Sequence, residues 1–196
     1  MFIDYLTLIM INLVAGTTLL AYYLFKGVDA KDQRPYAAGF GAVGLLGVIL
    51  GLTLTFTWPL PGSYNIAFGE TTTLFGIVFL ATAVALSQGW DLIPVTIYSF
   101  FAGVDAIVVG TRLISLNLTQ EPIFSGIGFI LAGLGGVFAG PFLAFFKNNK
   151  FLRWAAVAMV LASALIWGFT FYKALWGHMD SFSNWLPATM RAVQGQ

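Results

Sequence analysis

Six apolar runs fill almost the whole chain, and each is as long as the roughly 20 residues that a helix needs to cross a bilayer core about 30 Å thick. At that depth backbone N–H and C=O groups find no water, so a spanning segment must satisfy them internally. The runs therefore predict an all-α, polytopic membrane protein with six transmembrane helices, at roughly 5–25, 37–57, 66–87, 92–114, 123–146 and 153–174. Composition agrees: charged residues make up 9% of the 196, against roughly 25% in a soluble domain, too few to coat a water-soluble surface.

The charge balance narrows the function classes. A net charge of +1 supplies no basic stripe to displace phosphate counterions, so no nucleic-acid partner is expected. Without cysteine, disulfides, thiolate metal sites, iron–sulfur clusters and covalently attached haem are excluded. The first run is full length, lacks a basic stretch before it and is followed by Lys26, Lys31 and Arg34, which predicts a retained helix and not a cleaved signal. The expected partner is the lipid bilayer, with a homo-oligomer or a larger membrane complex as further options.

Basic residues set the expected orientation. Lys26, Lys31 and Arg34 follow the first run, and Lys147, Lys150 and Arg153 lie between the fifth and sixth. The connections near 58–65 and 115–122 carry none. By the positive-inside rule the basic loops are cytoplasmic, so a cell-membrane protein with both termini outside is expected. Residues 1–176 would form one six-helix domain. In the remainder, 177–196, Phe182, Trp185, Leu186, Met190 and Val193 recur at helical spacing around Pro187, as in a helix lying on the outer membrane surface. Trp58, Trp90, Trp154, Trp176 and Trp185 fall near expected boundaries, where amphipathic rings anchor.

A shift of 87 residues pairs Asp4 with Asp91, Ala15-Gly16 with Ala102-Gly103, Pro35 with Pro122, Gly39 with Gly126 and Gly41 with Gly128. Three helices per unit would make this a 3+3 inverted repeat, as in many transporters. The second run carries Gly39, Gly41, Gly44, Gly47 and Gly51, and the fifth Gly126, Gly128, Gly133, Gly135, Gly136 and Gly140. Small residues let helix backbones approach where lipid supplies no hydrophobic force, so helices 2 and 5 are expected to make the closest contacts. Pro141, without an amide hydrogen, should disturb the fifth helix near its end.

Ionisable groups inside a membrane are costly and face a bundle interior or cavity by default. At 1.5 Å per residue, Asp105 lies about 18 Å from the basic end of helix 4 and Arg112 about 10 Å further, while Glu70 sits about 6 Å below the opposite boundary. These depths interleave on oppositely directed helices. A structural reading pairs Glu70 with Arg112; a functional one makes Glu70, Asp105 and Arg112 a proton, cation or polar-solute site; in a third, Arg112 extends to the surface. The adjoining stretch WPLPGSYNIAFGE, Trp58 to Glu70, is fixed by two prolines and two glycines and leads into Thr71, Thr72 and Thr73. Asn65 and Thr72 join the candidate binding residues.

With the Asp-containing N-terminus, the basic first loop and the glycine-rich second helix, this stretch resembles an uncharacterised group of small bacterial and archaeal integral membrane proteins, classed only as a domain of unknown function. The resemblance covers most of the chain. It implies a multi-helix fold and carries no activity or cofactor.

His178, the only histidine, cannot supply a bis-histidine haem or a multi-histidine copper site, and reads as a boundary residue or a partner for Asp180, Asp4 or Glu70. No metal site or catalytic residue is assigned. Lys173, near the outer end of helix 6, extends to the surface. The leading function is a transporter- or channel-like protein with an outward-opening polar site for a proton, cation or small polar solute. The alternative is a non-catalytic accessory subunit, which would be a dry, fully packed bundle. An enzyme ranks third, for want of a nucleophile–base pair. Because the chain has no cysteine, topology is directly testable: Ala30→Cys and Asn149→Cys proteins should resist impermeant thiol reagents in intact cells. Labelling at both would reverse the orientation.

Overall fold

The computed structural model describes residues 4–181 of the chain. Its helices are α1 (Tyr5–Tyr22), α2 (Ala37–Thr57), α3 (Thr71–Gln88), α4 (Ile93–Leu116), α5 (Pro122–Pro141) and α6 (Lys150–Ser181). π-helical turns extend α1 over Tyr23–Gly27 and α5 over Phe142–Phe146, and a third, Asn65–Glu70, leads into α3. The turn after α5 begins directly behind Pro141, whose missing amide hydrogen ends the regular hydrogen-bond ladder there. All six spans are long and apolar enough to cross a membrane. The protein is thus an integral membrane protein by fold.

The last span departs most from expectation. At 32 residues α6 is about 48 Å long, well beyond a hydrocarbon core of about 30 Å. Gly177–Ser181, expected to begin a separate tail, continue the helix. Phe182, Trp185, Leu186, Pro187, Met190 and Val193 lie outside the described residues.

Contacts fall into three extensive helix pairs: α4 with α5, α2 with α3, and α1 with α6. The first two are held by bare backbone. A Cβ on Gly103 would lie 2.5 Å from the Gly133 carbonyl oxygen, and one on Gly110 2.6 Å from that of Gly126. Gly140 meets the Thr96 side chain in the same register, so the contacts recur every seven residues along an antiparallel pair. Between α2 and α3, Gly44, Gly47 and Gly51 face Leu80, Gly76 and Thr73, again at backbone distance.

Helices 2 and 5 therefore do carry close contacts, but each with its own hairpin partner and not with one another. The partners' glycines, Gly76, Gly103 and Gly110, are sparser in sequence. Nor does the packing follow the 87-residue shift. That shift equates α1–α2 with α4–α5, yet α1 meets α2 through side chains, with Gly16 against Val43 and Leu19 over Gly39.

Single polar side chains link the helices elsewhere. Asn12 of α1, buried, donates to the Val43 carbonyl of α2 at 3.0 Å. Ser99 of α4 and Ser163 of α6 donate to the Gly136 and Gly128 carbonyls of α5, each at 3.2 Å. Asp4, the N-cap of α1, reaches His178 near the end of α6 (2.7 Å), closing the third pair on the face where loops close the other two. On the basic face Arg153 pairs with Asp29, and this guanidinium holds the Asp29 carboxyl below the ordinary carboxylate range.

These contacts separate the glycines sharply. Gly47→Leu and Gly136→Leu would drive side chains into Gly76 and the Ser99 carbonyl, and should lower the melting temperature in detergent by about 5 °C or more. Gly135, where a Cβ meets nothing closer than 3.9 Å, should accept leucine with little change. Equal melting of all three variants would remove the backbone contacts from any stabilising role.

Candidate functional site

The loop from Trp58 to Glu70 is organised by Asn65, which is fully buried. Its Oδ1 accepts from the Leu60 amide at 2.9 Å, and its Nδ2 donates to the Leu60 and Gly62 carbonyls. Side-chain amides of this kind replace the backbone partners that a tight turn leaves unmade. Asn65 thus holds the loop, and its side-chain hydrogen bonds go to Leu60 and Gly62 and not to the other candidate residues.

The three hydroxyls that follow have different roles. Thr71 donates to Asp105 Oδ2 across the α3–α4 boundary at 3.1 Å. Thr73 donates back to the Gly69 carbonyl, in the helix, at 2.9 Å. Thr72 is buried and makes no hydrogen bond with another described residue.

Of the three charges expected to converge, Asp105 alone is tied to the interior, half-buried and held by Thr71. Arg112 is exposed and its nearest polar partner is Ser115, on its own helix, at 3.4 Å. Glu70 is exposed and forms no ion pair among the described residues. No Glu70–Arg112 ion pair forms among the described residues, although Glu70 was placed between Asp105 and Arg112 in depth. Lys173, expected to reach only for the surface, instead pairs with Glu121 at 2.9 Å. His178 meets Asp4, but no group of three metal-capable side chains occurs among the described residues.

A cavity of about 530 Å³ lies among the helices, lined mainly by α1, α3, α4, α5 and α6 with Phe40 of α2. Its lining runs from Leu92, Phe146 and Leu152, at the basic-loop ends of their helices, to Thr71, Ala106 and Trp167 deep in the bundle. Ala106 is 13 residues into α4, which makes the cavity about 20 Å deep. At that end Phe129 meets Trp167 edge to face and Phe68 at a tilt, with ring centroids 5.0 and 5.7 Å apart, and the three rings pack with Leu13 and Leu113. The cavity extends to the basic-loop face, and its wall is mostly apolar, with no charged side chain.

A family model described as protein of unknown function (DUF981) matches residues 1–181, nearly the whole chain. The chain belongs to that family. No curated protein and no solved structure matches it.

In this DUF981 protein the polar candidates and the cavity meet at one point. Thr71 and Thr72 line the blind end, so Asp105 lies one hydrogen bond from the cavity wall. The residue that the sequence did not flag is Trp167. It is 1% exposed, lines the same end, and its Nε1 is a buried donor with no partner among the described residues. Leaving such a donor unmet costs about 1–3 kcal/mol. Its signal was positional: Trp167 lies within the sixth apolar run, while the other tryptophans sit near boundaries.

Asn65→Ala should lower stability by about 1–3 kcal/mol, because buried loop groups lose their partners. Glu70→Gln, by contrast, should leave thermal unfolding unchanged. A large loss for Glu70→Gln would mean that the carboxylate has a partner in the folded membrane protein.

Proposed function

We propose that this protein is a transporter-like carrier whose solute enters the central cavity from the basic-loop face, with that face in the cytoplasm. The observation carrying this reading is the cavity itself: about 530 Å³ in volume, reaching one face and backed by the Phe68–Phe129–Trp167 stack. Binding sites of a few hundred cubic ångströms in the membrane interior, reached from one side at a time, suit alternating access. An accessory subunit without chemistry needs no such space.

The wall argues for a neutral solute. Neither a cation nor an anion would find a counter-charge among the lining residues, and moving an unpaired charge into an apolar wall is prohibitively costly. Asp105 is the group that can couple solute movement to a proton, because Thr71 connects it directly to the blind end. Glu70 and Arg112, both exposed, take no part in the solute site.

The test uses vesicles containing the purified protein and an entrapped pH-sensitive dye, challenged with neutral solutes of apolar body. Solute-dependent proton movement is expected for the native chain. It should be lost in Asp105→Asn, which still offers Thr71 an acceptor and should fold normally. It should also be lost in Gly135→Leu, which fills the cavity from a position with room for the side chain. No solute-dependent proton movement in the native protein, or undiminished movement in both variants, would overturn the reading.

A further inference from the structure

The hydroxyls of the cavity wall are largely committed to backbone carbonyls: Thr17, Thr82 and Thr96 on their own helices, Ser99 and Ser163 across to α5. An occupant therefore meets chiefly apolar surface. The space is also long and narrow, since 530 Å³ over a depth of about 20 Å is roughly 26 Å² of mean cross-section. A hydrocarbon core of about 30 Å is two acyl chains thick, so one chain reaches about 15 Å, close to this depth. The mouth has the opposite character. Phe146 and Leu152 line it, and the chain between them carries Lys147 and Lys150. Arg153, next to Leu152, donates to the carbonyl of Lys147, next to Phe146, which ties the two segments together at the rim. The Arg153 hydrogen bond first, and the Lys147 charge with it, hold the Asp29 carboxyl below its ordinary range, so both cations lie close to this one acid. Asp29 pairs with Arg153. Lys147 and Lys150 are exposed and form no ion pair among the described residues.

We propose that the cavity is a binding site for a single-chain anionic amphiphile, a long-chain carboxylate, inserted tail first with its head group at the Lys147–Lys150 rim. This goes beyond the carrier reading, because the charge never enters the wall and a lodged chain excludes a neutral solute from the same space. Burial of methylene groups supplies the affinity, and the lysines fix which end stays outside. A cationic amphiphile would meet like charge at that rim. A two-chain lipid needs about twice the width of one chain, and a short anion gains nothing from the wall.

The test uses the purified full-length protein in zwitterionic nanodiscs, with empty nanodiscs as the partition blank, at alkaline pH so that palmitate is ionised. Palmitate should show a saturable site that empty discs lack, and should bind about threefold or more tightly than methyl palmitate. In the double variant Lys147→Glu, Lys150→Glu that preference should vanish while the methyl ester still binds. Gly135→Leu, which fills the cavity, should lose the saturable site. Orientation is read separately from fluorescence. Palmitate brominated at its chain end should quench Trp167, which lines the deep end, more than palmitate brominated beside its carboxylate, and Trp167→Phe should remove the difference. No saturable site, a site that persists in Gly135→Leu, or a methyl ester binding as tightly as the acid would overturn the proposal. So would a carboxylate preference unchanged in the lysine variant, equal quenching by the two brominated probes, or displacement of palmitate by dipalmitoyl phosphatidic acid. If palmitate binds as expected but vesicles show no solute-dependent proton movement, carriage falls and the chain site stands. If proton movement occurs without a saturable palmitate site, the chain site falls alone.

Discussion

Close approach of helix backbones is the constraint on which the rest of this structure depends. In lipid, one apolar side chain is as well solvated by acyl chains as by another helix, so hydrophobicity cannot draw the bundle together. Contact between backbones can. Where Gly103 faces Gly133 and Gly110 faces Gly126, any Cβ would fall well inside van der Waals distance. At such separations Cα–H groups also lie against carbonyl oxygens, adding weak but repeated attraction. The same device joins α2 to α3. Two hairpins therefore behave as rigid units, and large side chains are left to fill the space between units.

That division explains where the empty space lies. In the half away from the basic loops, Phe68, Phe129, Trp167, Leu13 and Leu113 meet in one cluster and pack the interior. Nearer the basic loops, small residues on α4, α5 and α6, including Ala102, Ala132, Gly135, Ala139, Ala155 and Ala156, face the centre and leave it open. Hydroxyls in that wall are compatible with an apolar interior because their hydrogens return to backbone carbonyls, a common arrangement for serine and threonine in helices.

Much of the fold was legible in the sequence because the bilayer imposes a length and a composition on every span. Five spans lie within about three residues of where apolar runs placed them, and α6 exceeds its run at both ends, with Lys173 and His178 paired to Glu121 and Asp4 near its C-terminal end. The site was less legible. Depth along a helix follows from residue count, but direction around it depends on π turns and on packing, so the interleaved depths of Glu70, Asp105 and Arg112 did not foretell that no ion pair joins them among the described residues. Charge also does not mark the residues with the more informative chemistry. Asn12 and Trp167 are neutral and sit in apolar runs, and only their burial shows that one has a partner and the other lacks one. Thr72 was identified for its hydroxyl, and the structure adds that this hydroxyl is uncommitted.

The contact between Asp4 and His178 gives the third helix pair a seam in place of a loop. A peptide connection limits how far two helix ends can separate, whereas a side-chain contact can part and re-form with no change in backbone dihedral angles. The bundle is therefore a ring with two sewn edges and one clasp. Helices α1 and α6 both border the central cavity, so this contact closes through side chains the one extensive helix pair along the cavity that no loop joins.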